Sequence, residues 1–252
     1  MTYDKIANMA SQMGERLQGH TIVGALLPQD MSYEIPWEEV QPSASWAPFD
    51  KIYRVGGKLI TYLSSRIDLE HRIDAVRLLR MLQADSLYLV FECTSLTPKF
   101  EVGSYVIIND HVNCTGENPL WGPNDDRFGP RYPNMTEPYD SQLSANLQRG
   151  AKIIGMPLEK AVYGRLQATE SGEKLKIWSK LGIEVMGEDV VDEVIVAAHC
   201  GLPVVALGVV GSVWSGSRPA PLLSVNPRRK NFEELMLLIK QCLHCSGGLD
   251  DG

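Results

Sequence analysis

The alternation of apolar strands with amphipathic helices most constrains what this chain can fold into. Short apolar runs bounded by turn residues predict buried strands, and apolar residues spaced three or four apart predict helices. Strands are expected at Thr21–Leu27, Lys58–Leu63, Ser86–Glu92, Tyr105–Asn109 and Val204–Val210. Helices are expected at Asp4–Leu17, Leu69–Gln83, Glu170–Leu181, Val190–His199 and Asn231–Cys245. This alternation favours an α/β fold with a central mixed β-sheet flanked by helices.

The length of the chain fits a single domain that spans residues 1–252. A chain of 252 residues, of which 44% are hydrophobic, can bury a sizeable core without dividing. The sequence contains neither an internal repeat nor a linker. The segment from Tyr33 to Phe49 carries three prolines, so it is expected to form a loop.

The charge and the cysteine content of the chain argue against several classes of function. The net charge of -7 disfavours nucleic acid and anionic membranes, because both attract basic proteins. No apolar run approaches the roughly 20 residues of a membrane span, and no signal peptide is visible, so a cytoplasmic protein is expected. Cys242 and Cys245 have CxxC spacing but no second ligand pair, so neither a metal nor another cofactor is expected.

The stretch from Leu96 to Asp140 is the most densely patterned part of the sequence. It contains an apolar strand that leads into Asp110 and His111, followed by a long run rich in Gly, Pro, Asn and aromatic residues. Loops longer than about 12–15 residues are usually functional or disordered. Because this loop carries Trp121 and Tyr132 among its aromatic residues, an ordered, functional loop is expected.

This stretch resembles the trimeric purine nucleoside phosphorylase family. The similar motifs are Pro-Lys-Phe at 98–100, Asp-His at 110–111, Asn-Pro-Leu at 118–120, Gly-Pro-Asn-Asp-Asp-Arg-Phe at 122–128 and the helical segment 192–202. The resemblance implies that family's α/β fold, a homotrimer, and phosphorolysis of purine nucleosides with phosphate as co-substrate. It also implies that Phe128 reaches a neighbouring subunit, with Trp121 and Tyr132 at the same interface.

Two phosphate-binding elements that the resemblance implies are altered near the start of the chain. The family's Gly-Ser-Gly-like loop after the first strand matches a segment containing Pro28 and Asp30. Proline donates no N–H, and a carboxylate repels phosphate. The next loop retains Arg66 as a candidate phosphate ligand, but Asp68 stands where the family has histidine.

Two further elements are altered later in the chain. The family's Asn-Ala-Ala-Gly-Gly-like stretch matches residues 91–95, Phe-Glu-Cys-Thr-Ser, where the side chain of Glu92 and its neighbours would occupy ligand space. The family's Gly-Met-Ser-like turn matches residues 187–189, so that Asp189 replaces the serine. A carboxylate about 4 Å from phosphate costs about 4 kcal/mol at an effective dielectric constant of 20.

The purine and ribose contacts implied by the resemblance are also changed. Glu170 matches the family's base-binding glutamate and is retained. Ser212 stands in place of an asparagine, and Phe232 in place of a ribose-facing histidine. Serine has neither the reach nor the paired donor and acceptor of an amide.

Three functions remain open at this point. The favoured one is a catalytically silent relative of the phosphorylases, a homotrimer kept for binding or assembly with an unidentified protein partner. The second is an active purine nucleoside phosphorylase with rearranged ligands. The third is a protein that binds a cation or amine through Glu92, Asp189 and Glu170.

Overall fold

The computed structural model describes residues 1–17, 19–27, 38–40, 49, 51–55, 57–64, 68–166, 171–214, 216 and 229–245. Asp30, Arg66 and Glu170 therefore lie outside the described residues, as does the side chain of Phe232. No helix within the described part is long and apolar enough to cross a membrane.

Six helices and nine strands make up the described fold. The helices are α1 (Tyr3–Leu17), α2 (Leu69–Met81), α3 (Ser141–Ile153), α4 (Gly172–Lys180), α5 (Val191–Cys200) and α6 (Arg229–Cys245). The strands are β1 (Thr21–Leu27), β2 (Glu38–Val40), β3 (Lys51–Val55), β4 (Lys58–Ser64), β5 (Ser86–Ser95), β6 (Tyr105–Asn113), β7 (Leu158–Arg165), β8 (Val185–Gly187) and β9 (Val204–Val213).

All nine strands belong to one mixed sheet, which confirms the predicted fold class. Their order is β2-β3-β4-β1-β5-β8-β7-β6-β9, and β5 also pairs with β9. This extra pairing closes β5, β8, β7, β6 and β9 into a ring, so half of the sheet forms a small barrel. Strands β1, β4, β5 and β9 run parallel, which places their carboxyl ends at one edge.

Helices cover both faces of the sheet and complete two large apolar clusters. Helices α2 and α5 pack together on one face, while α3 packs against α6 on the other. Gly150 allows the close approach of α3 to α6, because a Cβ there would lie 3.0 Å from Sγ of Cys242. Burial of strand and helix faces at about 25 cal/mol per Å² of apolar surface supplies the main driving force for this arrangement.

The structure agrees with every predicted helix and strand, with shifted ends, and adds elements that were not predicted. Strands β5 and β9 each extend by three residues beyond their predicted carboxyl ends. The predicted loop between Tyr33 and Phe49 is wrong at Glu38–Val40, where β2 pairs with β3. Helix α3 and strands β3, β7 and β8 were also missed.

Candidate active site

The candidate site lies at the edge where β1, β4, β5 and β9 end. Ligands of α/β proteins bind outside the carboxyl ends of parallel strands. Glu92 lies near the end of β5 and Ser212 near the end of β9. Strand β8 runs antiparallel to β5, so the turn that follows it carries Asp189 back alongside β5. The fold thus brings these three predicted residues to one region of the barrel.

The hydroxyl of Ser212 is engaged within the protein. It lies 2.8 Å from the hydroxyl of Thr94, and both side chains are buried. The neighbouring Ser95 donates to the backbone oxygen of Thr97 at 2.7 Å. Because these hydroxyls bond to protein groups, the end of β5 is closed by its own side chains rather than left open by glycines.

Glu92 fills space above β9. A Cβ built on Gly211 would lie only 1.8 Å from Oε1 of Glu92, so the carboxylate rests directly against the β9 backbone. The preceding Phe91 is buried and meets the ring of Tyr163 edge-on, with centroids 5.0 Å apart. The side chains of residues 91 and 92 therefore occupy volume at this end of the barrel.

Asp189 forms an ion pair that is not evident from the sequence. Its Oδ1 accepts a hydrogen bond from Nη1 of Arg72 on α2 at 3.1 Å. The Nε of Arg72 also lies 2.9 Å from Oε1 of Glu193, although this N–H is not aligned for a hydrogen bond. Burial alone would lower the pKa of Arg72, but the charges of Glu193 and Asp189 hold it above its ordinary value. Asp189 and Glu193 therefore share the single positive charge of Arg72.

Arg165, at the end of β7, anchors a second ion-pair group beside the first. Its guanidinium contacts both oxygens of Asp192, at 2.9 and 2.8 Å, and Oε2 of Glu117 at 3.2 Å. Its Nε donates to the backbone oxygen of Glu188 at 3.3 Å. One buried side chain thus joins the long loop, the turn after β8 and the first turn of α5.

The turn after β8 is held in an unusual backbone conformation. Val190 has a φ of 68°, in the left-handed region that β-branched residues rarely adopt. The hydroxyl of the fully buried Tyr163 donates to the backbone oxygen of Asp189 at 3.1 Å. Such strain persists where surrounding contacts over-determine the backbone, and it concentrates at functional sites.

Asp68 has a local structural role. It is the N-cap of α2 and accepts a hydrogen bond from the backbone N–H of His71 at 3.1 Å. This bond, together with the adjacent His71 ring, holds the pKa of Asp68 below its ordinary value. The carboxylate therefore stays charged and caps the helix. Phe232 lies in the first turn of α6.

The long loop from Cys114 to Asp140 has few regular elements but many specific contacts. Phe128 packs on Tyr3 with centroids 5.0 Å apart, and the Arg77 guanidinium lies 4.6 Å from its ring centre. Trp121 and Tyr132 project outward with 73% and 85% of their surface exposed. In this single chain, two of the predicted interface aromatics are thus uncovered, while Phe128 is held by its own subunit.

Sequence reasoning missed the two arginines of the site. Arg72 was overlooked because it interrupts the apolar face of an otherwise regular helix. Arg165 was overlooked because β7 itself was not predicted. The signal available was the pair of acidic residues Asp192 and Glu193 in a segment that is otherwise apolar, since buried carboxylates require cationic partners.

The fold is an α/β fold of the nucleoside phosphorylase type. Two solved structures share the fold over nearly the whole chain. Schistosoma mansoni purine nucleoside phosphorylase complexed with adenosine gives a TM-score of 0.85 at 18% identity, covering 100% of this chain and 99% of that one. A schistosoma purine nucleoside phosphorylase with hypoxanthine gives 0.82 at 18% identity, covering 96% and 97%.

Sequence comparison identifies the family. The sequence profile of the phosphorylase superfamily matches residues 51–225. Purine nucleoside phosphorylase 1 of Bacillus subtilis is 32% identical over 149 residues, covering 58% of this chain and 55% of that protein. The bovine purine nucleoside phosphorylase is 36% identical over 142 residues, covering 54% and 49%. The chain belongs to the phosphorylase superfamily and, as predicted, to its purine nucleoside phosphorylase family. The matched sequence spans about half the length of these relatives.

Proposed function

We propose that this chain is a purine nucleoside phosphorylase-family protein without phosphorolytic activity, which serves as a homotrimeric binding or assembly scaffold. Its relatives are named as phosphorylases, which are glycosyltransferases. This member departs from that activity in the groups that would have to receive phosphate.

The pairing of Asp189 with Arg72 is the observation that carries the proposal. Phosphate is normally held by cationic side chains, hydroxyls and aimed N–H groups. Here the position that the resemblance assigns to a phosphate-binding serine holds a carboxylate, and that carboxylate engages the nearby Arg72. Phosphate would have to displace Asp189 from Arg72 while also approaching the charge of Glu193.

The packing at the ends of β5 and β9 supports the same proposal. Thr94 and Ser212 bond to each other, and Glu92 lies against Gly211. A nucleoside in this position would have to break the buried hydroxyl pair and move the carboxylate. Leaving a buried polar group unsatisfied costs about 1–3 kcal/mol, so both changes oppose binding.

The exposed aromatics of the long loop support the scaffold part of the proposal. Trp121 and Tyr132 stand beside a cavity of about 450 Å³ that Leu120, Met135 and Ile195 help to line. Aromatic residues are enriched at protein interfaces, and contiguous exposed apolar surface marks interaction sites. A homotrimer would cover this surface in the manner that the family resemblance implies.

An active phosphorylase is the alternative, and a phosphorolysis assay separates the two. Purified protein is incubated with inosine or guanosine, with and without phosphate, and release of the free base is followed. The bacterial relative from Bacillus subtilis serves as the positive control. The proposal predicts no phosphate-dependent release above background, whereas sustained phosphate-dependent turnover would establish the alternative.

The cation-binding hypothesis has less support. Of its three carboxylates, Asp189 is committed to Arg72 and Glu92 rests on the β9 backbone. Within the described part of the chain, no cluster of three or more acidic, histidine or cysteine side chains could hold a metal ion. Glu170 lies outside the described residues, so its part in that hypothesis stays a prediction.

A further inference from the structure

The cavity of about 450 Å³ beside Trp121 and Tyr132 is large enough to hold a small molecule. Residues of the long loop form most of its wall, and the end of β6 and helix α5 complete it. We call it the loop cavity. Its volume falls within the range of about 300–1,000 Å³ that is typical of small-molecule sites.

The walls of the loop cavity are mainly apolar and aromatic. Leu120, Met135 and Ile195 supply aliphatic surface, and Trp121 and Tyr132 supply two rings. Aromatic side chains favour planar partners, against which their rings stack or meet edge-on. An apolar lining with a small number of placed polar groups is characteristic of ligand sites, so the polar groups decide which ligand would fit.

Arg131 supplies the charge of the loop cavity. Within the described part of the chain it is the only lining residue with a formal charge, and no carboxylate lines the cavity beside it. Its Nη1 donates to the backbone oxygen of Leu120, and its guanidinium lies 5.6 Å from the ring centre of Tyr132. It forms no ion pair with any described residue, so its remaining N–H groups present a positive charge next to aromatic surface.

His111 lines the loop cavity with a ring whose protonation follows from its hydrogen bond. Its Nδ1 lies 3.0 Å from the hydroxyl of Tyr139, which is buried and has no other hydrogen-bond partner among the described residues. A buried hydroxyl rarely leaves its proton unpaired, so Tyr139 donates to Nδ1. Burial holds the pKa of His111 below its ordinary value, although the charge of Asp110 opposes this shift, so the ring is neutral at neutral pH. Nε2 therefore carries the ring proton and is a donor.

The two asparagines that line the loop cavity differ in what they offer. Both ends of the Asn113 amide are bonded to residues 115 and 117 of the loop. The Oδ1 of Asn118 accepts a hydrogen bond from the backbone N–H of Leu120 at 2.8 Å, which leaves its Nδ2 as a donor. The side-chain nitrogens that an occupant could meet on Arg131, His111 and Asn118 are therefore all donors.

We infer that the loop cavity binds a small aromatic carboxylate, whose ring system lies against Trp121 and Tyr132 and whose carboxylate accepts hydrogen bonds from Arg131. A planar carboxylate matches the fork of a guanidinium, and its single negative charge balances the single positive charge of the cavity. The inference goes beyond the proposed scaffold function. A homotrimer that covers the exposed sides of Trp121 and Tyr132 would enclose such an occupant.

Three aromatic acids and their amides test this inference. Benzoate, naphthoate and indoleacetate differ in the size of the ring system, and each amide keeps the shape of its acid but lacks the charge. Isothermal titration of the full-length chain at neutral pH measures the Kd of each compound. We expect at least one acid to bind with a Kd about tenfold or more below that of its amide.

Variants locate the binding site. Arg131→Gln should weaken binding of the acid about tenfold or more and leave binding of the amide within about twofold, a difference that a general structural defect would not produce. Arg127→Gln is the matched control, because it removes the same charge from the same loop at a residue that does not line the cavity. Met135→Trp fills the cavity and should weaken binding of both compounds. Circular dichroism verifies that each variant is folded.

Absence of binding by all three acids, or equal affinity for every acid and its amide, would overturn the inference. A loss of affinity in Arg131→Gln no greater than that in Arg127→Gln would overturn it too, as would unchanged affinity in Met135→Trp. The inosine assay on the same preparations keeps this inference separate from the proposed function, because phosphorolytic turnover would refute only the silent-scaffold proposal.

Discussion

Individual residues of the candidate site are committed to partners within the protein. Asp189 pairs with Arg72, Ser212 with Thr94, and Asp68 caps α2. The structure places Asp189 and Ser212 at one edge of the sheet, and the sequence did not show what they contact. Arg72 is 117 positions from Asp189 along the chain, and no local pattern links residues at such a separation.

Restoring the serine at position 189 should not restore activity. Asp189→Ser removes one carboxylate from beside Arg72, so weak phosphate binding is expected. Phosphorolysis should remain at background, because catalytic groups that act together are not recovered one at a time. Isothermal titration with phosphate and the inosine assay measure the two outcomes. Asp189→Asn, which removes the charge but keeps the size, is the matched control. Activity in the serine variant would show that Asp189 alone silences the site.

Glu193 should give the stability of the protein a distinctive pH dependence. Burial raises the pKa of this fully buried carboxyl above its ordinary value, although Arg72 opposes the shift, and Asp189 and Asp192 also face it. The folded state therefore holds its proton more tightly than the unfolded state does. This contribution to the free energy of unfolding is largest below about pH 4.3 and declines as pH rises through the raised pKa.

The substitution Glu193→Gln should remove this decline. Urea unfolding measured at several pH values between 4 and 8 gives the free energy of unfolding for the variant and the parent chain. Relative to the parent, the variant should gain stability as pH rises. Glu137→Gln on the exposed loop should leave the pH profile unchanged. A variant that loses stability relative to the parent at high pH would mean that the charged form of Glu193 is stabilising.

At the scale of elements, the helices and strands that could be predicted are those in which the spacing of apolar residues is clear. Strands β1 and β9 were predicted because nearly every residue in them is apolar. Helix α1 was predicted because each of its turns carries an apolar residue on the same side. Strand β7 was missed because Glu159 and Lys160 near its start are charged and exposed, and because it ends in Arg165. Helix α3 was missed because Gly150 and a polar sequence obscure its period, although Gly150 is what lets it approach α6.

The long loop should depend on Gly129 for its attachment to α5. A Cβ at this position would lie 1.8 Å from the backbone oxygen of His199. Backbone atoms cannot move aside as easily as the end of a flexible side chain, so the clash would disturb the junction. Asn124 fixes the same junction by donating to the Gly129 oxygen at 2.9 Å and contacting the His199 ring at 3.1 Å. Gly129→Ala should lower the free energy of unfolding by about 1–3 kcal/mol.

Thermal and urea unfolding of Gly129→Ala measure this effect. Gly116→Ala is the matched control in the same loop, since nothing lies within 4 Å of its Cβ position, although its positive φ of 75° adds a backbone cost of its own. Wild-type stability in Gly129→Ala would contradict the packing of the loop against the end of α5.

At the scale of the whole molecule, the fold is that of the purine nucleoside phosphorylase family, and the proposed assembly follows from the long loop. We predict a homotrimer at micromolar concentration, which light scattering would record as three times the 28.0 kDa chain mass. Trp121→Ala and Tyr132→Ala should weaken it, because both side chains are exposed in the single chain and available for burial. If light scattering gives the mass of a monomer for the parent chain, the assembly part of the proposal is wrong.

Phe128→Ala should act on both the chain and the assembly. This side chain packs on Tyr3 and Arg77 within its own subunit, so its loss should reduce monomer stability as well as any trimer. Truncation of a core phenylalanine costs about 3–5 kcal/mol, and a half-buried one should cost less. Urea unfolding and light scattering on the same variant separate the two effects.

The absence of phosphorolysis from this phosphorylase fold is open to a simple assay. The rate of phosphate-dependent base release from inosine is recorded with purified, folded protein at neutral pH, beside an active phosphorylase. We expect a rate indistinguishable from that of the protein-free control, because Asp189 pairs with Arg72 and the ends of β5 and β9 are closed by their own side chains. A turnover near the ordinary enzyme value of about 10 per second would contradict it.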